Sequence, residues 1–498
     1  MPEGYLGAEA RISSGPAPEL VEAGYAPELA DAGLLHRGLG LADLAQLLML
    51  VESGVVPAAV GAELATTLLE WLDVPAEEFP YDAQYGDAYN SRERELERRH
   101  GVSAGWLHTG RTRREAGRIA FRLAMREQLL DLHDAVGRLV TALTDQATAH
   151  ASTLWADTTY LQPAQPSTFG HYLGAFGEEA ARHLGRVEAA YRWADRSPAG
   201  VGGVGGTRVP LDRARLGDLL GFTEVGAHTR DVMWATDGLV DAVLAAAQAA
   251  TTADRLAEDL EIFTSPGFGY VELDASLCRA SVLMPQKRNP YALAVIRAGA
   301  GTLVGRVTGL LVTQRTPSAR TDNWLHAYGE VASSLELGRR VVALGAAVVE
   351  GLTVDTDALA QAAAASFTGA ADLAEELVLG SGLDYRSAYR VVGRAVADAL
   401  AAGRPSIEAT ELTRLARELL DVDLEVTPTE VAAAMDPARI LTTRTAVGGS
   451  APERVRDHCA LLRQRVEQAT AFRETERARV AAAEAALIAV AANLAAGT

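Results

Sequence analysis

The feature that most constrains this chain is a set of long stretches in which apolar residues recur every three or four positions with few helix breakers between them. The clearest is AGRIAFRLAMREQLLDLHDAVGRLVTALTDQA, residues 116–147, in which Ile119, Phe121, Leu123, Leu129, Leu130, Leu132, Val136, Leu139 and Val140 follow a helical period. Similar segments run over about 168–195, 229–262, 290–315 and 328–352. They predict an all-α architecture built on a bundle of long helices. Five apolar stripes of that length are expected to bury part of their surface against partner subunits.

The composition agrees with helix: hydrophobic residues make up 48% of 498 residues and aromatics only 6%, and Ala, Leu, Arg and Glu are strong helix formers. The segments suggest three parts: a mainly helical N-terminal domain over 1–115, a central long-helix bundle over 116–360, and a small helical domain over 361–498. In the last part, DPARILTTRTAVGGSAPE reads as a loop before a final helical pair.

A formal charge of −19 argues against a nucleic-acid partner, which needs clustered positive charge. No stretch reads as the roughly 18 apolar residues of a membrane span, and the first 30 residues lack the basic start and apolar centre of a leader. The two cysteines, Cys278 and Cys459, form neither a disulfide framework nor a metal-ligand pattern. The expectation is a cytoplasmic protein with no membrane partner, metal or organic cofactor.

GVGGVG at 200–205 matches the dinucleotide pattern G-x-G-x-x-G. That pattern binds phosphate only between a strand and a helix start. Here the preceding residues read as helix and Pro210 follows closely, so the stretch is expected to be a flexible surface loop.

Chemistry concentrates in SVLMPQKRNP, residues 281–290. Of 46 basic residues in the chain, Lys287 is the only lysine. A compact ammonium reaching one carboxylate oxygen cannot be replaced by a larger planar guanidinium. That makes Lys287 a candidate for the site, with Ser281, Met284 and Asn289 beside it.

The pattern S-x-x-M-P-x-K-x-N-P resembles the signature loop of the fumarase/aspartase superfamily, whose members release fumarate from substituted succinates. LHTGRTRRE at 107–115, TYLQPAQPSTFGH at 159–171, SPAGVGGVGGT, ADRLAEDLEIF and TTRTAVGGSAP at 442–452 are similar, in the same order, to segments of argininosuccinate lyases. The resemblance covers nearly the whole chain, most weakly over the first 60 or so residues. It implies a three-part subunit, a homotetramer with a central bundle of twenty helices, and active sites that each draw on three subunits. It further implies that Ser281, as alkoxide, takes the proton beside a carboxylate, while Lys287 and Asn289 hold that carboxylate as charge develops on it. Preorganised donors are what make such a proton removable, and a nearby ammonium lowers the pKa of the serine. Arg111, Thr112, Arg113, Thr159, Gln162 and Arg230 fall where the family binds a dicarboxylate substrate.

The departures from the family are equally informative. Tyr160 stands where argininosuccinate lyases carry the histidine that protonates the leaving nitrogen, and Ala294 where they carry the glutamate orienting it. Tyr89 replaces a second histidine and Arg114 an asparagine. SARTDN at 318–323, with Arg320, and Tyr291 replace residues of the pocket for the arginine half, while Val282 replaces a second serine and reads as packing around the loop. The expected site is richer in positive charge and poorly matched to a guanidinium. A leaving group that is stable as an anion needs no histidine acid, so the leading expectation is β-elimination from a substrate such as nitrosuccinate, giving fumarate and nitrite. Two alternatives stay open: a divergent argininosuccinate lyase in which Tyr160 donates the proton, and a catalytically silent helical scaffold.

Overall fold

Four helices carry the first part of the chain: α1 (Ala32–Glu52), α2 (Ala58–Leu72), α3 (Ala88–His100) and α4 (Arg113–Ala149). They belong to a computed structural model that describes residues 11–321, 324–365 and 367–497. Thr112 caps α4 by accepting from the Glu115 backbone N–H at 3.3 Å, which satisfies a donor the helix start would otherwise leave free. A hairpin of β1 (Leu154–Thr159) and β2 (Gln162–Thr168) then leads into α5 (Phe169–Ala194), capped by Thr168. The helices α6 (Asp237–Phe263), α7 (Tyr291–Thr313) and α8 (Ala327–Glu350) complete the bundle.

α4 packs against α5 and α8, and α6 against α5, α7 and α8. Phe121, Leu129, Leu143, Leu173, Val243, Leu260, Leu293 and Val331 share this core. A second core joins α1 and α2 to Phe79, Leu96 and Phe222. A third is self-contained, lying among α9 (Ala370–Ser381), α10 (Tyr385–Ala401), α11 (Ala409–Leu420) and α12 (Pro428–Met435).

Several expectations are corrected. The final helical pair is one helix of 44 residues, α13 (Pro452–Ala495). It leaves the small third core and returns to the others, burying Val455, Cys459 and Leu462 in the bundle and Leu487 and Ala491 in the N-terminal core. The segment read as a loop before it includes a helical turn at Pro437–Thr443. The stretch from 229 breaks at Ala235, separating a short helix, Thr229–Trp234, from α6.

The absence of a membrane-length apolar stretch is also corrected. α1, α7 and α13 are each long and apolar enough to cross a membrane by length and composition. Alanine and glycine raise their apolarity without forming a continuous run of large side chains. α1 is mostly buried inside the fold, whereas α7 and α13 leave most of their surface open within one chain.

The glycine stretch is a surface loop only in its second half, where Val204 and Gly205 are exposed. Ala199, Gly200, Val201 and Gly202 are buried, and the Gly200 N–H donates to Glu115 Oε1 at 2.7 Å. Gly200 and Gly202 have φ of 74° and 60°, backbone that side-chain-bearing residues rarely adopt.

Candidate active site

The candidate residues fall into groups at the two ends of the bundle. The first group is at the start of α4. Arg113 Nη1 donates to Asp87 Oδ2 at 2.9 Å, and Arg114 donates to both oxygens of Glu28, at 2.7 and 3.3 Å. Thr112 Oγ1 donates to the Gly202 carbonyl at 3.4 Å. The loop continues to the short helix Thr229–Trp234, where Thr229 Oγ1 donates to Val204 O and Trp234 Nε1 to Gly203 O. Arg230 is exposed there and donates to Ser318 Oγ and O at 3.2 and 3.0 Å. Arg320 lies two residues further on, also exposed. Asp322 and Asn323 of the same stretch lie outside the described residues.

Two expectations for this group fail. Arg111 does not face a ligand. It is 3% exposed, donates to Ala42 O at 2.9 Å and Asp43 Oδ1 at 2.6 Å, and lies over the ring of Tyr89. Asp43 also accepts from Arg92 at 3.2 Å, so two buried guanidiniums share one carboxylate. Nor is the pocket beside Arg113 and Arg114 strongly positive. Glu28, Asp31 and Asp87 line it together with those arginines, Tyr89, Trp324 and Tyr328. Tyr89 is itself buried, its hydroxyl 3.0 Å from His108 Nδ1, and burial pushes its phenol pKa up.

The second group is the tip of the β1–β2 hairpin. Thr159 pairs with Gln162, so Tyr160 and Leu161 form the whole turn, both in left-handed backbone with φ of 55° and 58°. Such a turn favours Asn-Gly, and two large side chains there hold strain of the kind that collects at functional sites. Tyr160 is 98% exposed. The register shift at Asp157/Thr158 bends the strand just before the tip. Below it, His171 Nε2 lies 3.0 Å from the Gly448 carbonyl, joining this segment to the loop of 442–452.

The third group is the loop between α6 and α7. Arg279–Ala280 pairs with Arg288–Asn289, closing residues 281–287 into a loop, and Asn289 Nδ2 braces it by donating to Arg279 O at 3.0 Å. Ser281 Oγ accepts from the backbone N–H groups of Met284, at 3.0 Å, and Leu283, at 3.4 Å. Donors aimed at an oxygen favour its anion, and the same two bonds are those of an ordinary serine turn. Lys287 and Met284 are exposed. Val282 is fully exposed too, which corrects its reading as packing around the loop.

The second and third groups share one end of the bundle. The hairpin is rooted there by Trp155, whose ring lies 5.2 Å from that of Phe263 near the end of α6. The first group lies at the other end. α6, of 27 residues, separates Arg230 from the Ser281 loop by about 40 Å, and α4, of 37 residues, separates Arg113 from the hairpin by about 55 Å. One chain alone does not bring the candidates together.

The sequence reading missed Glu28, Asp43, Asp87 and Glu115. Asp87 had a local signal as the N-cap that accepts from Asn90 N, and Glu115 as the last residue of the T-x-x-E pattern that opens α4.

A lyase family model matches residues 50–305, and an argininosuccinate lyase C-terminal model matches residues 367–442. The argininosuccinate lyase of Methanoculleus marisnigri is 32% identical over 420 residues, covering 83% of this chain and 84% of its own. Argininosuccinate lyase 1 of Mesorhizobium japonicum is 32% identical over 466 residues, covering 92% and 97%. Among solved structures, EDDS lyase in complex with formate superposes with a TM-score of 0.86 at 24% identity over 98% of both chains. An EDDS lyase variant with bound fumarate gives 0.85 at 25% identity, over 97% of this chain and 96% of that one.

Proposed function

The chain belongs to the fumarase/aspartase superfamily, in its argininosuccinate lyase family, and from that premise we propose that it releases fumarate from a substituted succinate by β-elimination, with a substituent that leaves as a stabilised anion. Nitrosuccinate, giving fumarate and nitrite, is the working substrate. Ser281 as alkoxide removes the proton from the carbon beside one carboxylate. Lys287 and Asn289 meet the charge that builds on that carboxylate. The carbon–nitrogen bond then breaks, and its electron pair leaves with nitrite. The fumarate bound by the EDDS lyase variant supports the product class.

The observation that carries this reading is the replacement of the acid pair. Tyr160 projects free from a strained hairpin tip, and Ala294 stands where the orienting carboxylate would be. With the histidine and its glutamate both replaced, neither member of that pair is left to protonate a departing nitrogen, which favours leaving groups that need no proton.

The catalytic unit in this reading is a homotetramer, in which Arg113, Thr159 and Ser281 of one site come from three subunits, with Thr112, Gln162, Met284 and Arg230 contributing contacts. The open face of α7 supports it. Gly301, Gly305 and Gly309 recur at one turn each, with no neighbouring atom within 4 Å of where a side chain would begin. Val304, Leu311 and Val312 are about half exposed beside them. Such a face lets another helix approach closely.

A second reading has one observation in its favour. The pocket lined by Tyr89, Trp324 and Tyr328 is close to charge-balanced, with Glu28 and Asp87 paired to Arg114 and Arg113 and Asp31 beside them, so it does not select for an anionic substituent. Under it, Tyr160 protonates a departing amine or guanidine, as in a divergent argininosuccinate lyase. A panel of nitrosuccinate, argininosuccinate and N-substituted aspartates, followed by fumarate formation, separates the two. Turnover of nitrosuccinate alone supports the first reading, turnover of argininosuccinate or an N-substituted aspartate supports the second, and fumarate from none of them removes both.

A further inference from the structure

Glu115 is the one candidate-site neighbour whose carboxylate is fully buried, at 0% exposure, and it forms no ion pair. Its Oε1 accepts from Gly200 N at 2.7 Å, and the Gly202 N–H also faces the carboxylate. The charged groups facing it are Arg111, from the turn before α4, and Arg213, from the short helix Arg213–Leu219. Arg111 also binds Asp43 and Arg213 the Ala199 carbonyl at 3.0 Å, and each keeps one buried nitrogen, Arg111 Nε and Arg213 Nη2, without a hydrogen-bond partner.

The loop that Glu115 holds is a junction. Gly202 O receives Thr112 from the start of α4, Gly203 O receives Trp234, and Val204 O receives Thr229. The last two come from the helix that carries Arg230. Arg113 and Arg230 are therefore connected through residues 200–206. The backbone is close to itself at one point, where a side chain at Gly202 would meet Gly206 O at 2.8 Å.

We infer that Glu115 is a positioning residue whose carboxylate oxygen anchors the glycine loop, and that this loop sets the spacing of Arg113 and Arg230 for the two carboxylates of the substrate. The inference rests on the dicarboxylate reading above. The anchor is the acceptor Oε1, and an amide oxygen at the same place can take the Gly200 bond. Glutamine should replace it and alanine should not.

The test compares wild type, Glu115→Gln and Glu115→Ala by amide hydrogen exchange over 200–206 and by fumarate binding, with KM and kcat on whichever succinate the wild type turns over. Glu115→Ala should exchange the loop amides at least about tenfold faster and weaken fumarate binding about tenfold, with KM rising and kcat within about threefold. Glu115→Gln should keep fumarate binding, KM and kcat within about threefold of wild type, with the loop amides no less protected. Thr229→Val, which removes only the bond to Val204, should weaken fumarate binding in the same direction and covers the case in which Glu115→Ala does not fold. Unchanged binding in Thr229→Val and Glu115→Ala, or a fall in kcat with KM unmoved, would overturn the inference while leaving the lyase reading in place. A wild type that binds no fumarate would overturn both.

Discussion

Arg113 and Thr159 stand at opposite ends of the same helix: Arg113 is the first residue of α4, and Thr159 closes the strand that follows its last residue, Ala149. The 37 residues between the ends span about 55 Å. No rearrangement short of unfolding brings these two side chains to one small dicarboxylate. Antiparallel packing of a second chain would, because it lays the start of one α4 beside the hairpin end of another.

The buried charges near the first group make a stability prediction. Asp43 is 2% exposed and accepts from both Arg92 and Arg111, which are equally enclosed. Asp43→Ala leaves two guanidiniums without their carboxylate, and removing one partner of a buried pair typically costs about 3–5 kcal/mol. Chemical denaturation should show a loss of that size, whereas Arg113→Ala, at a half-exposed residue, should change stability by less than about 1 kcal/mol and act on KM.

Lys287→Arg should lower turnover at least about a hundredfold while folding and assembly are unchanged, since removing one preorganised donor to a developing anion costs that much and guanidinium does not reproduce a point ammonium. Ser281→Ala should be as inactive yet still bind fumarate by calorimetry. Near-normal turnover in Lys287→Arg would show the lysine to be incidental.

Tyr160→Phe separates the two leaving-group readings. If nothing protonates the departing atom, the variant keeps most activity on nitrosuccinate, losing one hydrogen bond worth about 0.5–1.5 kcal/mol. If the phenol is the acid, turnover of an amine or guanidine substrate falls about a hundredfold or more. Efficient wild-type cleavage of argininosuccinate, abolished in Tyr160→Phe, would favour the second reading.

Glu115 makes stability depend on pH. Burial raises its pKa from 4.5 to about 7, so its neutral form is the one the fold prefers. The stability it contributes is fully present below about pH 4.5 and is lost as pH rises through about 7. Glu115→Gln lacks that titration. The wild type should therefore lose stability relative to Glu115→Gln between pH 4.5 and somewhat above 7, by about 3 kcal/mol in all, and the gap should then level off. Parallel stability curves over that range would contradict it.

The long bundle was legible because burial of one helix face imposes a period that survives in residues such as Leu129, Val136 and Leu139. The loop of Ser281, Lys287 and Asn289 was legible from one lysine among arginines. The hairpin tip was not, since Tyr160-Leu161 carries none of the Asn-Gly signal of a two-residue turn. The fate of the arginines was hidden for a different reason. Arg111 meets Asp43 across 68 positions of sequence and Arg114 meets Glu28 across 86, and no local pattern records which of many carboxylates the fold will deliver. The continuity of α13 is hidden in the sequence because so much of its surface is open within one chain that no continuous buried stripe marks it.

The composite site is the centre of this account, and subunit mixing tests it most directly. At substrate concentrations well below the raised KM of Arg113→Ala, that variant and Ser281→Ala should each be nearly inactive alone. Unfolded together at equal concentration and refolded, they should regain fumarate-forming activity, because about a quarter of the sites in random tetramers would take an intact Arg113 from one variant and an intact Ser281 from the other. A mixture as inactive as its components, in particles shown by light scattering to be mixed tetramers, would mean that each site draws both residues from one chain, and would contradict the account.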